Sequence, residues 1–261
     1  MYIEESNIYK LDKEYKKKKK IKNCIITCTT VPNRIDKIRA TLCSILDSSV
    51  AVDEIRLNIP YYSSQGVKYH IPKWLKRLSS IKIYRTIKDW GPATKLIPTL
   101  LDKNNKNKKI IVVDDDVIYG YNTFETLNEY FDKYNKDDTV AITMYGDLFK
   151  ETNTMTTRII NYVKGDNYTE LLRGHSGYMV KRDMFTEKVF DYSKAPKETF
   201  FVDDHWFSHH LMKNKVKILQ VGMKYNAVPL PDMLACNFDG LARQNNYDGH
   251  NERVVNRYFK N

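Results

Sequence analysis

The sequence predicts an α/β fold built on a mostly parallel sheet. Three observations carry this: aliphatic, strand-like runs recur along the first half, helical periodicity falls between them, and turn residues close each run. The 261 residues, 42% of them hydrophobic and 12% aromatic, are enough to bury a substantial core.

The first strand is "NCIITCTTV" at 23–31, rich in β-branched residues and closed by Pro32. From Arg34 to Leu46 the apolar residues Ile35, Ile38, Leu42 and Ile45 recur every three or four positions, the stripe of an amphipathic helix. "DEIRLNIP" at 53–60 and "SIKIYRT" at 80–86 supply two further strands, and "TKLIPTLL" a helical stretch. "KKIIVVDDDV" gives the fourth strand. Alternation of this kind requires crossover connections, and ligands of such sheets bind beyond the carboxyl ends of the strands. The loops "TTVPNR", "LNIPYY" and "DDD" are therefore expected to share one crevice.

The chain carries a net charge of +11. Residues 1–22 hold eight lysines and four acidic residues and read as a basic, mobile leader ahead of a domain spanning 23–261. A basic surface suits a phosphate-bearing partner: nucleic acid, nucleotide or anionic lipid. No helix-turn-helix, zinc-finger spacing or aromatic RNA-binding strand accompanies it, so no nucleic-acid partner is expected. There is no apolar run long enough for a transmembrane helix and no signal-peptide pattern, which places the expected chain in the cytoplasm. The four cysteines, Cys24, Cys28, Cys43 and Cys236, lack metal-site spacing. Two of them on one strand, Cys24 and Cys28, would stand about 13 Å apart, too far for a disulfide.

Asp114, Asp115 and Asp116 follow the aliphatic run "IIVV". Three carboxylates there repel one another and lose hydration unless a cation compensates them, and Mn2+ or Mg2+ suits hard oxygen ligands. On these residues the chain resembles the GT-A-fold glycosyltransferases that use nucleotide sugars and a divalent metal, inverting family 2-like members in particular. "DWGPATKLIPTL" is similar to their glycine turn and basic helix. "LRGHSGYMVKRDMF" is similar to their acceptor-side loop, and "FFVDDHWFSHHL" to the acidic pair at a helix start.

The resemblance implies a single GT-A-like, Rossmann-like domain, with a nucleotide-sugar half at about 23–120, an acceptor half at about 121–235 and a C-terminal lid loop at about 236–255. It implies a hexosyltransferase acting on a UDP- or GDP-sugar, UDP favoured, with a glycan, protein or small-molecule acceptor. Asp114 and Asp116, with His250, would hold the metal. Thr30, Arg34, Asn58, Asp89, Lys95, Asp114 and Asp115 would bind the nucleotide sugar. Of the acidic pair, Asp203 reads as the helix cap and Asp204 as the general base, with the reverse assignment open. The pair is Asp-Asp where Glu-Asp is the more familiar form.

Other readings of the carboxylates are a metal-dependent nucleotidyltransferase or nuclease, or a catalytically inactive GT-A scaffold. The first strand of a nucleotidyltransferase ordinarily opens a glycine-rich loop, and "CTTVPNRIDK" has no glycine. Homo-oligomerisation is left open by the sequence.

Overall fold

The structure, a computed structural model, describes residues 8–151, 156–159, 166–221 and 250–258. In chain order the helices are α1 (Ile8–Tyr15), α2 (Arg39–Asp47), α3 (Lys73–Lys76), α4 (Ile97–Leu101), α5 (Thr123–Tyr134), α6 (Asp203–Lys213) and α7 (His250–Tyr258). The strands are β1 (Lys20–Cys28), β2 (Ala51–Pro60), β3 (Ile81–Thr86), β4 (Lys109–Val112), β5 (Val140–Thr143), β6 (Gly146–Glu151), β7 (Thr156–Ile159), β8 (Asn167–Thr169), β9 (Leu171–Leu172), β10 (Tyr178–Lys181) and β11 (Lys217–Gln220).

Eight strands form the main sheet in the order β3-β2-β1-β4-β10-β5-β11-β8. The pairs β2/β3, β1/β2, β1/β4 and β5/β11 are parallel, while β10 runs antiparallel between β4 and β5, and β8 antiparallel on β11. Strands β7, β6 and β9 make a small second sheet. The predicted α/β architecture is the one observed. Its centre explains the sequence pattern: Ile25 and Ile26 of β1 and Ile110, Ile111 and Val112 of β4 are fully buried, because layers cover both faces of the sheet. A strand covered on both sides reads as a continuous aliphatic run. Past β4 the chain alternates between buried and half-buried positions, and Asp114 begins the carboxylate run there.

Three expectations need correction. Residues 1–22 are not all a mobile leader, since α1 packs on α2 and β1 already begins at Lys20. Ile8, Leu11 and Tyr15, three and four residues apart, form a buried stripe that the surrounding lysines hide from a composition reading. Polar ties fix the helix as well: Tyr15 Oη accepts from the Val52 N–H at 2.9 Å, and the Asp12 carboxylate accepts from the Ser79 and Ser80 backbone. Leu11→Ala is expected to cost about 2–4 kcal/mol, read as a lower urea midpoint with an unchanged slope. A mobile leader would give no change.

Second, the helix expected from Arg34 begins only at Arg39. Residues after Pro32 wind through turns, with the Arg34 and Ile35 N–H groups both donating to the Val31 carbonyl. This frees Arg34 to point at the carboxylates. Third, of the expected lid at 236–255, residues 236–249 and Cys236 lie outside the described residues, while 250–255 belong to α7. The other three cysteines are buried and free.

Candidate active site

The crevice lies at the carboxyl ends of β1 and β4, with the start of α6 and the loop before β10 completing it. Its centre is Lys95, at the end of a 3-10 turn spanning Gly91–Lys95 and only 4% exposed. The Lys95 Nζ lies 2.7 Å from Asp114 Oδ1, 2.9 Å from Asp203 Oδ2 and 3.8 Å from Asp204 Oδ1. One buried ammonium thus gathers carboxylates from two segments almost ninety residues apart in sequence. Burial alone would discharge it, but the three carboxylates hold its pKa well above the ordinary lysine value.

A second cation completes the carboxylate end. The Arg34 guanidinium places Nη2 2.7 Å from Asp115 Oδ1 and Nη1 2.9 Å from Asp116 Oδ2, a fork spanning two adjacent side chains. Thr30 Oγ1 donates to the other oxygen of Asp115 at 2.5 Å, and Thr41 Oγ1 donates to its carbonyl at 2.8 Å. Burial still dominates at Asp115 and pushes its carboxyl up to about 7, against the Arg34 charge and with the neighbouring aspartates adding to the rise. Asp114 goes the other way: burial is outweighed by Lys95, with His175 and Arg34 adding to it, and its pKa is lowered.

Both expected acids of the pair reach the site. Neither caps α6 with its side chain: the cap residue is Val202, which corrects the reading of Asp203 as the cap. Asp203 is drawn instead to Lys95, and burial lifts its carboxyl to about 7 despite that partner. Asp204 is held differently. The backbone N–H of Gly174 donates to both of its oxygens, at 3.0 and 3.1 Å, and its side chain is more open than that of Asp203.

Gly174 has a steric reason to be glycine. A Cβ there would stand 2.5 Å from Lys95 Nζ, 3.0 Å from Asp204 Oδ1 and 3.3 Å from Asp114 Oδ1. Gly91 has another, because its φ of +59° is left-handed and a Cβ would meet the Phe200 ring at 2.7 Å.

The remaining predicted positions divide. Thr30, Arg34, Lys95 and Asp114–Asp116 come together. Asn58 does not reach the crevice, being fully buried: its amide donates to Thr27 Oγ1 and Thr99 Oγ1, both at 3.1 Å, and to the Lys95 carbonyl at 3.3 Å. It anchors the backbone beneath Lys95. Asp89 is spent on its own turn, accepting from Gly91 N–H at 2.8 Å, Thr94 Oγ1 at 3.0 Å and Ser64 N–H at 2.7 Å. His250 stacks on Phe201, with ring centroids 5.3 Å apart. It is not gathered with Asp114 and Asp116, and no cluster of three metal-ligating side chains is assembled among the described residues.

Sequence reasoning missed two tyrosines. Tyr119 Oη accepts from the Asp114 N–H at 2.8 Å and fixes the turn of the chain after β4. Tyr178, on β10, is fully buried, and its hydroxyl has no hydrogen-bond partner among the described residues. Among nineteen tyrosines no local signal singles out these two.

Comparison with known proteins bears on the fold. No family model matches the chain, and no curated protein matches it in sequence. Among solved structures it is similar to a crystal structure of GalNAc-T7 with UDP, GalNAc and Mn2+, with a TM-score of 0.53 at 13% identity, over 76% of this chain. The fold is GT-A-like. The match spans 42% of the GalNAc-T7 chain, so it speaks for the architecture alone.

In this GT-A-like crevice Gly174 offers a direct test. Gly174→Ala is expected to push Lys95 off its carboxylates and cost about 1–3 kcal/mol in stability. Denaturant titration checks the effect.

Proposed function

We propose that the chain is a glycosyltransferase that moves a sugar from a nucleoside-diphosphate sugar, UDP favoured, to an acceptor hydroxyl with inversion. The observation that supports this most is the convergence of Asp114, just after β4, and Asp204, at the start of α6, on Lys95, on a GT-A-like frame. A donor lying along the Asp114 side and an acceptor along the Asp204 side would bring the two reacting groups together.

The donor set suits a divalent cation in chemistry: Asp114 and Asp116 are hard oxygen ligands, and the crevice holds more carboxylates than Lys95 and Arg34 neutralise. These two would hold Mn2+ or Mg2+, which supplies neutralisation of the leaving diphosphate. His250, expected as a third ligand, is not among the residues gathered here.

The chain's own residues do the rest. Lys95 and Arg34 bring positive charge to the donor side, where a diphosphate would compete with the aspartates for them. Asp204, oriented by the Gly174 N–H, takes the proton from the acceptor hydroxyl as its oxygen attacks the anomeric carbon from the face opposite the diphosphate. Asp203, held by Lys95, keeps the start of α6 in place. The reading is tested with a panel of nucleotide sugars, with and without Mn2+, scored for release of nucleoside diphosphate. Metal-dependent release from one donor, absent in Asp116→Ala, supports it, and no binding of any donor overturns it.

A further inference from the structure

The opposite end of the main sheet carries a different surface. Strands β1, β2 and β4 are parallel and therefore start at the same end, one strand length from the carboxylate crevice. For the nine residues of β1 that is about 30 Å, at about 3.3 Å per residue. Lysines crowd this starting edge. Lys16 and Lys17 end the α1 segment, Lys19, Lys20 and Lys22 line the entry to β1, and Lys106 precedes β4, all six exposed. Register sets Lys109, the first residue of β4, beside Cys24, the fifth of β1, so that Lys20 and Lys22 lie beyond the start of β4.

Few acids offset them. Glu14 lies against Lys10, the Asp53 carboxylate accepts from the Asn23 N–H, Asp132 is paired with Lys109, and exposed Asp47 lies near Lys18. None of the six lysines is ion-paired among the described residues. Strand starts are thus basic and strand ends acidic. At the rim of the basic face Lys18 Nζ sits 5.9 Å from the ring of Tyr121, which is 60% exposed.

We propose that this face docks on an anionic lipid surface. The six cations are all lysines, mobile point charges that suit a diffuse headgroup layer better than the arginine forks of phosphate-specific readers. The six lysines lie in turns and at a strand start, not along one helix that could enter a groove, and no aromatic residue interrupts the run 16–22 to stack single strands. An exposed tyrosine beside lysines matches the amphipathic belt at a membrane interface. In this orientation the carboxylate cluster, at the other ends of the strands, turns away from the bilayer. This inference is independent of the transferase reading.

Sedimentation of the full chain with vesicles of phosphatidylcholine alone, or containing about 30% phosphatidylserine, tests it. The expected result is binding to the anionic vesicles only, reversed in about 0.5 M NaCl, where charges a few Å apart are screened. A variant with Lys19, Lys20, Lys22 and Lys106 all changed to Ala should unfold at the wild-type temperature and bind at least tenfold more weakly. Equal binding to both vesicle types, no binding to either, or undiminished binding by the variant overturns the proposal. So does tighter binding to a random-sequence DNA duplex than to the anionic vesicles at the same salt.

Discussion

Asp204→Asn is expected to lower turnover by about 10²–10⁴-fold, the range a positioned general base contributes, while leaving donor binding within a few-fold of wild type. The asparagine side-chain oxygen can still accept the Gly174 N–H that now donates to both carboxylate oxygens at 3.0 and 3.1 Å, so the loop before β10 keeps its place. Initial rates with the donor found in the panel, set beside nucleotide binding by calorimetry, separate the two quantities. Asp203→Asn makes the contrast. Its carboxyl is held up at about 7 by burial and is drawn to Lys95, so the change removes a buried charge and is expected to keep at least a tenth of the activity. If Asp203→Asn is the dead variant and Asp204→Asn the active one, the roles of the two residues are reversed.

Lys95→Met should be the most damaging change to stability, about 3–5 kcal/mol at pH 8, because it leaves Asp114 and Asp203 buried without their cation. The pH dependence follows from linkage. Without Lys95 these carboxyls are raised in the folded state above their unfolded value of 3.8. A raised carboxyl contributes stability that is present below the unfolded pKa and lost as pH rises through the folded one. The deficit against wild type is therefore small near pH 4 and grows as pH rises through about 7, the region where wild-type Asp203 already sits. Asp114 behaves oppositely in the wild type: its pKa is lowered, so its contribution is present above 3.8 and lost as pH falls through the lowered value. Urea titrations at several pH values check the trend. A deficit that does not vary with pH would mean that Lys95 stabilises by packing alone.

Much of this arrangement was legible in the chain. The central strands were, because burial on both faces leaves aliphatic runs such as Ile110–Val113 that nothing else produces as simply. The carboxylate run was conspicuous because acids rarely follow such a strand without a compensating charge. Lys95 is singled out by the resemblance that "DWGPATKLIPTL" carries, but its link to Asp203 and Asp204 is not, since these lie more than a hundred residues later. The resemblance implies a nucleotide contact for Asn58. Its side chain instead points into the core, where it satisfies Thr27, Thr99 and the Lys95 carbonyl, and a strand alternates its faces in a way that polar character alone does not reveal. Helix α1 was hidden by charge. Its three buried apolar residues are outnumbered by the lysines around them, and composition averages over both faces of a helix.

The sequence by itself determined the alternation of strands and helices, the position of the acids at a strand end, and the acidic pair at the start of α6, because hydrophobic periodicity and local charge act over a few residues. Only the tertiary structure decided that Lys95 bridges Asp114 to Asp203 and Asp204, that Gly174 must lack a side chain to let them meet, and that Arg34 leaves the helix to clamp Asp115 and Asp116. Those contacts join segments far apart in the chain, and their energies depend on burial and on distances that no local pattern encodes.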